Sequence, residues 1–194
     1  MLFSQEHYLA AAGAYMRGLE RRLAGGLTVD VRSVASIAVS PWDVMVREEV
    51  SSPFHNRLGI AMAMRTYRAY RELLASDRWR LLAEAGARPQ RLMWVGTGTS
   101  DATKPGAHYV EALVADATID CMPRETLVTF AQNGMPGQPL TIDGGYADAV
   151  LEEFRREGVD DAELAKRLQR AGVEHASTAW HAMLSLIKKK GLPS

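Results

Sequence analysis

The chain has 194 residues, with 23 basic and 23 acidic side chains, no formal net charge and a hydrophobic share of 47%. One ordinary domain fits that length and apolar content. The balanced, interspersed charge excludes the electrostatic footprint of a nucleic-acid binder and gives no reason to expect a membrane surface as partner.

Gln5 to Ala24 places Tyr8, Ala12, Tyr15, Leu19 and Leu23 on one apolar helical stripe, and Gly25-Gly26 ends it. Ser33 to Val39 is small and β-branched, lies between charged residues and Ser40-Pro41, and reads as a buried strand. Helical spacing returns over Asn56 to Ala75 through Ile60, Ala63, Met64, Tyr67, Tyr70 and Leu74. A short helix follows over Ser76 to Ala85, stopped by Gly86. Arg91 to Val95 is the second strand, Tyr109 to Leu113 a turn of helix, and Ala117 to Asp120 a third, short strand. Pro123 at a first helical position opens a helix that Asn133-Gly134 terminates. Helices over Gly144 to Glu157 and Asp160 to Lys190 complete the chain, with Gly158 and Gly191 just past their ends. Lys188 to Lys190 sit where the helix dipole favours cations.

Strands that alternate with helices and read as continuous apolar runs signal a parallel sheet covered by helices. Three strands cannot close a barrel, and they make a small platform for so many helices. Cys121 is the only cysteine, which excludes a disulfide framework within the chain and makes a reducing cytoplasm the default. No window approaches about 18 consecutive apolar residues, and MLFSQEHYLAAAGAY lacks the blocks of a secretory leader, so no membrane span and no signal peptide are expected. After the second strand, Gly96-Thr97-Gly98-Thr99-Ser100 has the look of a phosphate loop. It lacks the Gly-Lys-Ser/Thr of a P-loop, and the third glycine and following acid of a dinucleotide fingerprint.

"RPQRLMWVGTGTSD" followed by "HYVEALVADATIDCMPRETLVTF" resembles the seventh and eighth strands of transaldolases of the long bacterial type. The resemblance continues backwards through "SVASIAVSPWDVMV" and "GIAMAMRTYRAYRELLASDRWRLLAEAGARPQ", similar to the sixth strand and the helix after it. It continues forwards through the terminal helices, and "MLFSQEHYLAAAGAYMRGLE" looks like the end of the fifth strand with its helix. It implies an α/β chain holding part of a (β/α)8 TIM-type barrel, about the last three to four β/α units, with additional C-terminal helices. Residues 1–143 would carry strands six to eight and their flanking helices, and 144–194 the C-terminal helices, in a single incomplete domain. The family transfers a dihydroxyacetone unit between sugar phosphates, in carbohydrate metabolism of the pentose phosphate type, through a Schiff-base lysine and without a cofactor.

Carried over position by position, the resemblance leaves catalytic groups out. The Schiff-base lysine belongs to the fourth strand, upstream of everything matched, and Lys104, Lys166, Lys188, Lys189 and Lys190 lie on no apolar strand that would lower an amine pKa. Where the family's sixth strand ends in Ser-Arg-Val-Asp, with the arginine on substrate phosphate, this chain has Ser40-Pro41-Trp42-Asp43. Where the seventh is followed by Trp-Ala-Ser-Thr-Gly-Thr-Lys, it has Trp94-Val95-Gly96-Thr97-Gly98-Thr99-Ser100, and Met62 replaces an asparagine of the sixth helix. Ser40, Asp43, Trp94, Thr97 and Gly98 still match and are the candidate substrate-binding residues; no catalytic residue and no metal ligand is assigned. Loss of the phosphate groups lowers the expectation of ordinary sugar-phosphate turnover and leaves room for an altered substrate.

The remaining reactive side chains have plain readings. His7, His55, His108, His175 and His181 show no metal-ligand spacing. Asp43 fits a general acid or base at a strand end and an ordinary turn equally well. Cys121 and Met122 are expected to pack under the barrel mouth, and Leu164, Leu168, Ala176, Trp180, Leu184 and Ile187 to form core or interface. Arg155-Arg156 and Arg167 with Arg170 should be a solvated face. A half barrel has two open strand edges and a wet inner face. Leaving roughly 400 Å² of apolar surface wet forgoes about 10 kcal/mol, against a domain stability of about 5–15 kcal/mol. Two copies would give six strands and two stubs from Met1 to Phe3, short of a clean eight. Three readings follow: half of a transaldolase, inactive alone and completed by an N-terminal half; a non-catalytic binding or scaffold subunit with some other protein partner; or a decayed fragment.

Overall fold

In the computed structural model, which describes residues 1–99, 101 and 103–191, three parallel strands form one sheet: β1 (Ser33–Ala38), β2 (Gln90–Val95) and β3 (Ile119–Cys121), in that spatial order. The register sets Ala35 beside Leu92, Ile37 beside Trp94, and Trp94 beside Asp120. Leu2 adds a parallel bridge to Ile37: its N–H donates to the Ser36 carbonyl at 2.8 Å, and its carbonyl accepts from the Ala38 N–H at 2.9 Å. The opening residues are thus a strand stub on the outer edge of β1, and the α/β class expected from the sequence is realised as an open row of four.

Eight α-helices accompany this row among the described residues: α1 (Gln5–Ala24), α2 (Ser40–Val46), α3 (Leu58–Ala75), α4 (Asp77–Glu84), α5 (His108–Ala112), α6 (Arg124–Asn133), α7 (Ala147–Arg156) and α8 (Asp161–Gly191). Ser4 starts α1 by accepting the His7 N–H, and Ser76 starts α4 by accepting that of Trp79. From Leu58 to Met64, α3 is buried on every side, because α1, α2, α7 and the sheet all touch it. Ala35, Ile37, Leu92 and Trp94 share one apolar cluster with Tyr8, Ala12, Tyr67 and Tyr70. The opposite parity is barely covered: Val34 is 45% exposed, Arg91 is exposed, and Met93 and Ile119 are half-buried. Helices therefore close one face of the sheet and leave the other open. The apolar cluster runs from Phe3 to Leu168, across the expected boundary at residue 143.

Several expectations are corrected. Ser40-Pro41 does end β1, but Pro41 then opens α2, so Asp43 sits on a helix and not in a turn. Asn56 precedes α3: it takes a left-handed φ of 61°, which asparagine tolerates, and its side chain bonds elsewhere. Pro123 is the cap of α6, one position before its first helical residue, and Gly191 lies inside α8. Met16 replaces Tyr15 in the buried stripe of α1, while Leu23 is exposed. The Tyr15 hydroxyl instead reaches the Val31 and Arg88 carbonyls, each at 2.9 Å. Cys121, expected to be packed, is exposed, because it ends the edge strand β3 on the uncovered side. In α8, Leu164 and Leu168 are buried, whereas Ala176, Trp180, Leu184 and Ile187 face solvent. No helix is long and apolar enough to cross a membrane among the described residues.

Candidate functional site

The C-terminal ends of β1 and β2 point to the same end of the sheet, where loops rather than ladder bonds satisfy the chain. Val39 N–H still donates to the Val95 carbonyl and Ser40 N–H to the Gly96 carbonyl, each at 3.0 Å, so the two strand ends stay locked as the chain leaves the sheet. Gly96 then turns with φ of 68°, and a Cβ there would lie 3.3 Å from both Pro41 Cδ and Ser40 Oγ. Two of the departures noted in the sequence are therefore in contact: a Cβ at 96 would press on the ring of Pro41, which would have to give by a few tenths of an ångström. Gly98 lies equally close to the next element, since a Cβ would come within 3.2 Å of Pro123 and 3.3 Å of the Thr126 hydroxyl. Ser100, the third departure, lies outside the described residues.

Between these ends is a cavity of about 90 Å³, lined by Ser40, Asp43, Arg47, Asn56, Thr99 and Tyr109 among others. A chain of hydrogen bonds forms its wall. Arg47 donates to Asp101 Oδ2 at 3.3 Å, and Asn56 Nδ2 to the same oxygen at 2.6 Å. The Tyr109 hydroxyl lies 3.2 Å from Asn56 Oδ1 and 2.9 Å from Asp43 Oδ2. Asp43 in turn accepts the Leu58 and Gly59 N–H groups at 2.9 and 3.0 Å, satisfying donors that the first turn of α3 leaves open. Burial is the largest influence on Asp43 and pushes its carboxyl up to about 6, against the lowering effect of Tyr109 and the backbone donors. Asp101 is moved the opposite way: hydrogen bonds from the Thr103 side chain and backbone, then from Asn56, hold its carboxyl well below the usual range. Burial also raises the Tyr109 phenol, with the Asp43 charge adding to it.

Of the five residues singled out in the sequence, Ser40, Asp43 and Gly98 line this cavity. Trp94 and Thr97 lie outside the lining. Trp94 is 1% exposed in the apolar cluster, its indole N–H without an acceptor among the described residues. Thr97 is fully buried and donates to Asp120 Oδ1 at 2.7 Å. Arg47, Asn56, Asp101 and Tyr109 were not legible as site residues. They come from the C-terminal cap of α2 and three loop or short-helix segments, and no spacing in the sequence ties them together. All five lysines are exposed, Lys104 in the loop before α5 and the others on α8.

A row of parallel strands with loops converging at their C-terminal ends is the arrangement in which α/β barrels build their sites. The family model described as transaldolase/fructose-6-phosphate aldolase matches residues 1–187. The chain belongs to this family. It is 36% identical over 199 residues to the transaldolase of Parafrankia sp. (strain EAN1pec), and 34% identical over 201 residues to those of Frankia alni and Thermobifida fusca. Each alignment covers 98% of this chain but 54% of the relative. The chain thus spans about half the length of the curated transaldolases it matches, consistent with a C-terminal half. Its small parallel sheet and many helices fit a fragment of the barrel that this family forms.

Proposed function

We propose that the chain is the C-terminal half of a transaldolase-type (β/α)8 barrel. On this reading it contributes the sugar-contacting loops after strands six and seven to an enzyme that transfers a dihydroxyacetone unit between sugars. The observation that carries this is the ordered row stub-β1-β2-β3 of parallel strands, open at both edges and covered on one face only. The nucleophilic amine comes from the other half. Every lysine of this chain is solvent-exposed, where an ammonium keeps its proton near neutral pH. Alone, the chain is inactive.

The complementing piece is a half barrel bringing its own strands, not a second copy. A shear of about 8 in an eight-stranded barrel shifts the register by about four residues over four strands. The row Leu2, Ile37, Trp94, Asp120 would then set a second copy's Leu2 level with Asp116 or Arg124, and neither lies in β3. Surfaces for a larger partner are present. A groove of about 690 Å³ lies on the open face between Arg32, Val34, Arg91 and Ile119, and one of about 730 Å³ lies between Met1, Phe3 and Val173 of α8. Beyond it, Trp180, Met183, Leu186 and Ile187 leave the last turns of α8 with an apolar face in water.

The test is reconstitution. The chain is mixed with the N-terminal half of a matching transaldolase, a ketose substrate is added, and borohydride reduces any imine formed by lysine and ketose to a stable secondary amine. A trapped adduct on the N-terminal half, appearing only in the mixture, is the expected result. Halves that fail to associate, or an adduct on the 194-residue chain itself, would overturn the proposal.

A further inference from the structure

We infer that the cavity between the ends of β1 and β2 receives an uncharged, hydroxyl-bearing end of a ligand, a polyol terminus of two or three carbons, and disfavours a phosphate. This deepens the proposed function and rests on it only in taking the ligand to be a sugar. The cavity's volume of about 90 Å³ suits about three water-sized groups. Among the described residues Arg47 is the one cation lining it, and one of its guanidinium nitrogens is paired with Asp101 at 3.3 Å. Asp101 stays ionised throughout the neutral range, since four donors from Thr103, Asn56 and Arg47 hold its charge. Asp43 forms part of the same wall and carries charge above about pH 6. Asp101 stands directly behind the lining, bonded to Asn56 and Arg47, so two carboxylates against one guanidinium make the surroundings of the cavity net negative and unfavourable for a phosphate.

What the wall offers a ligand is of another kind. The Ser40 hydroxyl has no partner among the described residues. The Thr99 hydroxyl accepts the Asp101 N–H at 3.1 Å, which leaves its own proton to donate. Each hydroxyl can both give and take a hydrogen bond, so each pairs with a ligand hydroxyl whichever way the ligand's proton lies, and the discrimination against phosphate comes from the charge. Val44 closes one side with hydrocarbon, suited to the methylene edge of a carbinol.

The experiment is a titration of the isotope-labelled 194-residue chain, complemented by its N-terminal half if assembled, followed through amide resonances with erythritol and with inorganic phosphate. Erythritol has no carbonyl, so binding involves no lysine, and the outcome is independent of the reconstitution test. Erythritol should shift the Gly98, Thr99 and Asn56 side-chain resonances saturably, and phosphate at equal concentration should bind about tenfold more weakly. Ser40→Ala with Thr99→Val should weaken erythritol binding by about fivefold with the remaining spectrum intact. Asp101→Asn, which keeps the shape and removes the charge, should strengthen the phosphate response by about fivefold. Phosphate binding as tightly as erythritol, or no saturable response to erythritol, would overturn the inference.

Discussion

Asp43 stands between opposing influences. Its carboxylate caps α3 and holds Tyr109, which favours the charged form, yet burial outweighs those bonds and lifts its carboxyl from 3.8 to about 6. A carboxyl raised on folding adds stability that is fully present below its unfolded value and is lost as pH rises through about 6. Asp101, lowered on folding, has the opposite sign: its contribution is present above 3.8 and is lost as pH falls. His108, whose ring nitrogen lies 3.2 Å from the Asn56 carbonyl, is the remaining titratable neighbour besides Tyr109 and Arg47. Urea unfolding from pH 4 to 7.5 should therefore show stability declining by on the order of 2–3 kcal/mol towards the upper end. Asp120, likewise raised by burial, has the same sign, so Asp43→Asn should reduce the decline and Asp120→Asn remove more of it; a decline unchanged by Asp43→Asn would remove Asp43 as a source. At Gly96 the constraint is steric. Its positive φ and its contact with Pro41 predict that Gly96→Ala lowers stability by about 1–2 kcal/mol. Pro41→Ala in the same background should recover the contact part and leave the backbone part, which a double-mutant cycle in urea separates.

At the scale of elements, α8 is divided. Its first turns are tied in, with Asp160 accepting the Ala162 and Glu163 N–H groups, Leu164 and Leu168 buried, and Gly172 lying 3.4 Å from the Phe3 ring when given a Cβ. Its last turns carry Trp180 at 57% exposure and Ile187 at 58%, so none of the described residues covers the apolar surface they leave wet. Trp180→Glu with Ile187→Glu should change the chain's own unfolding free energy by no more than about 0.5 kcal/mol, as expected for exposed positions. The pair should weaken association with the complementing half by at least about tenfold, read by sedimentation. A large loss of intrinsic stability would mean instead that these side chains pack within the chain. The sheet shows the same division, with one face sealed by α1 and α3 and the other leaving Val34 and Arg91 exposed and Ile119 half-buried.

At the scale of the molecule, the elements were largely legible from periodicity. β1 and β2 were placed within a residue at most ends, and the long helices within two, because apolar runs and 3.6-residue spacing report burial directly. Gly25-Gly26, Gly86 and Gly158 marked helix ends because they take positions past the last turn that tolerate few other residues. The helix α2 was missed because seven residues carry too short a period to detect, and the strand stub was legible only through the family resemblance. The order of apolar runs and helical spacings established an α/β chain, and likeness of sequence placed it in the transaldolase family with a span of about half its relatives, because both reside in the linear sequence. The cavity wall could not be read in that way: Arg47, Asn56, Asp101 and Tyr109 lie far apart in the chain, and the packing of α2, α3 and α5 around the strand ends brings them together. The ion pair of Arg47 with Asp101, and the close approach of Pro41 to Gly96, are likewise contacts between segments, which no local pattern encodes.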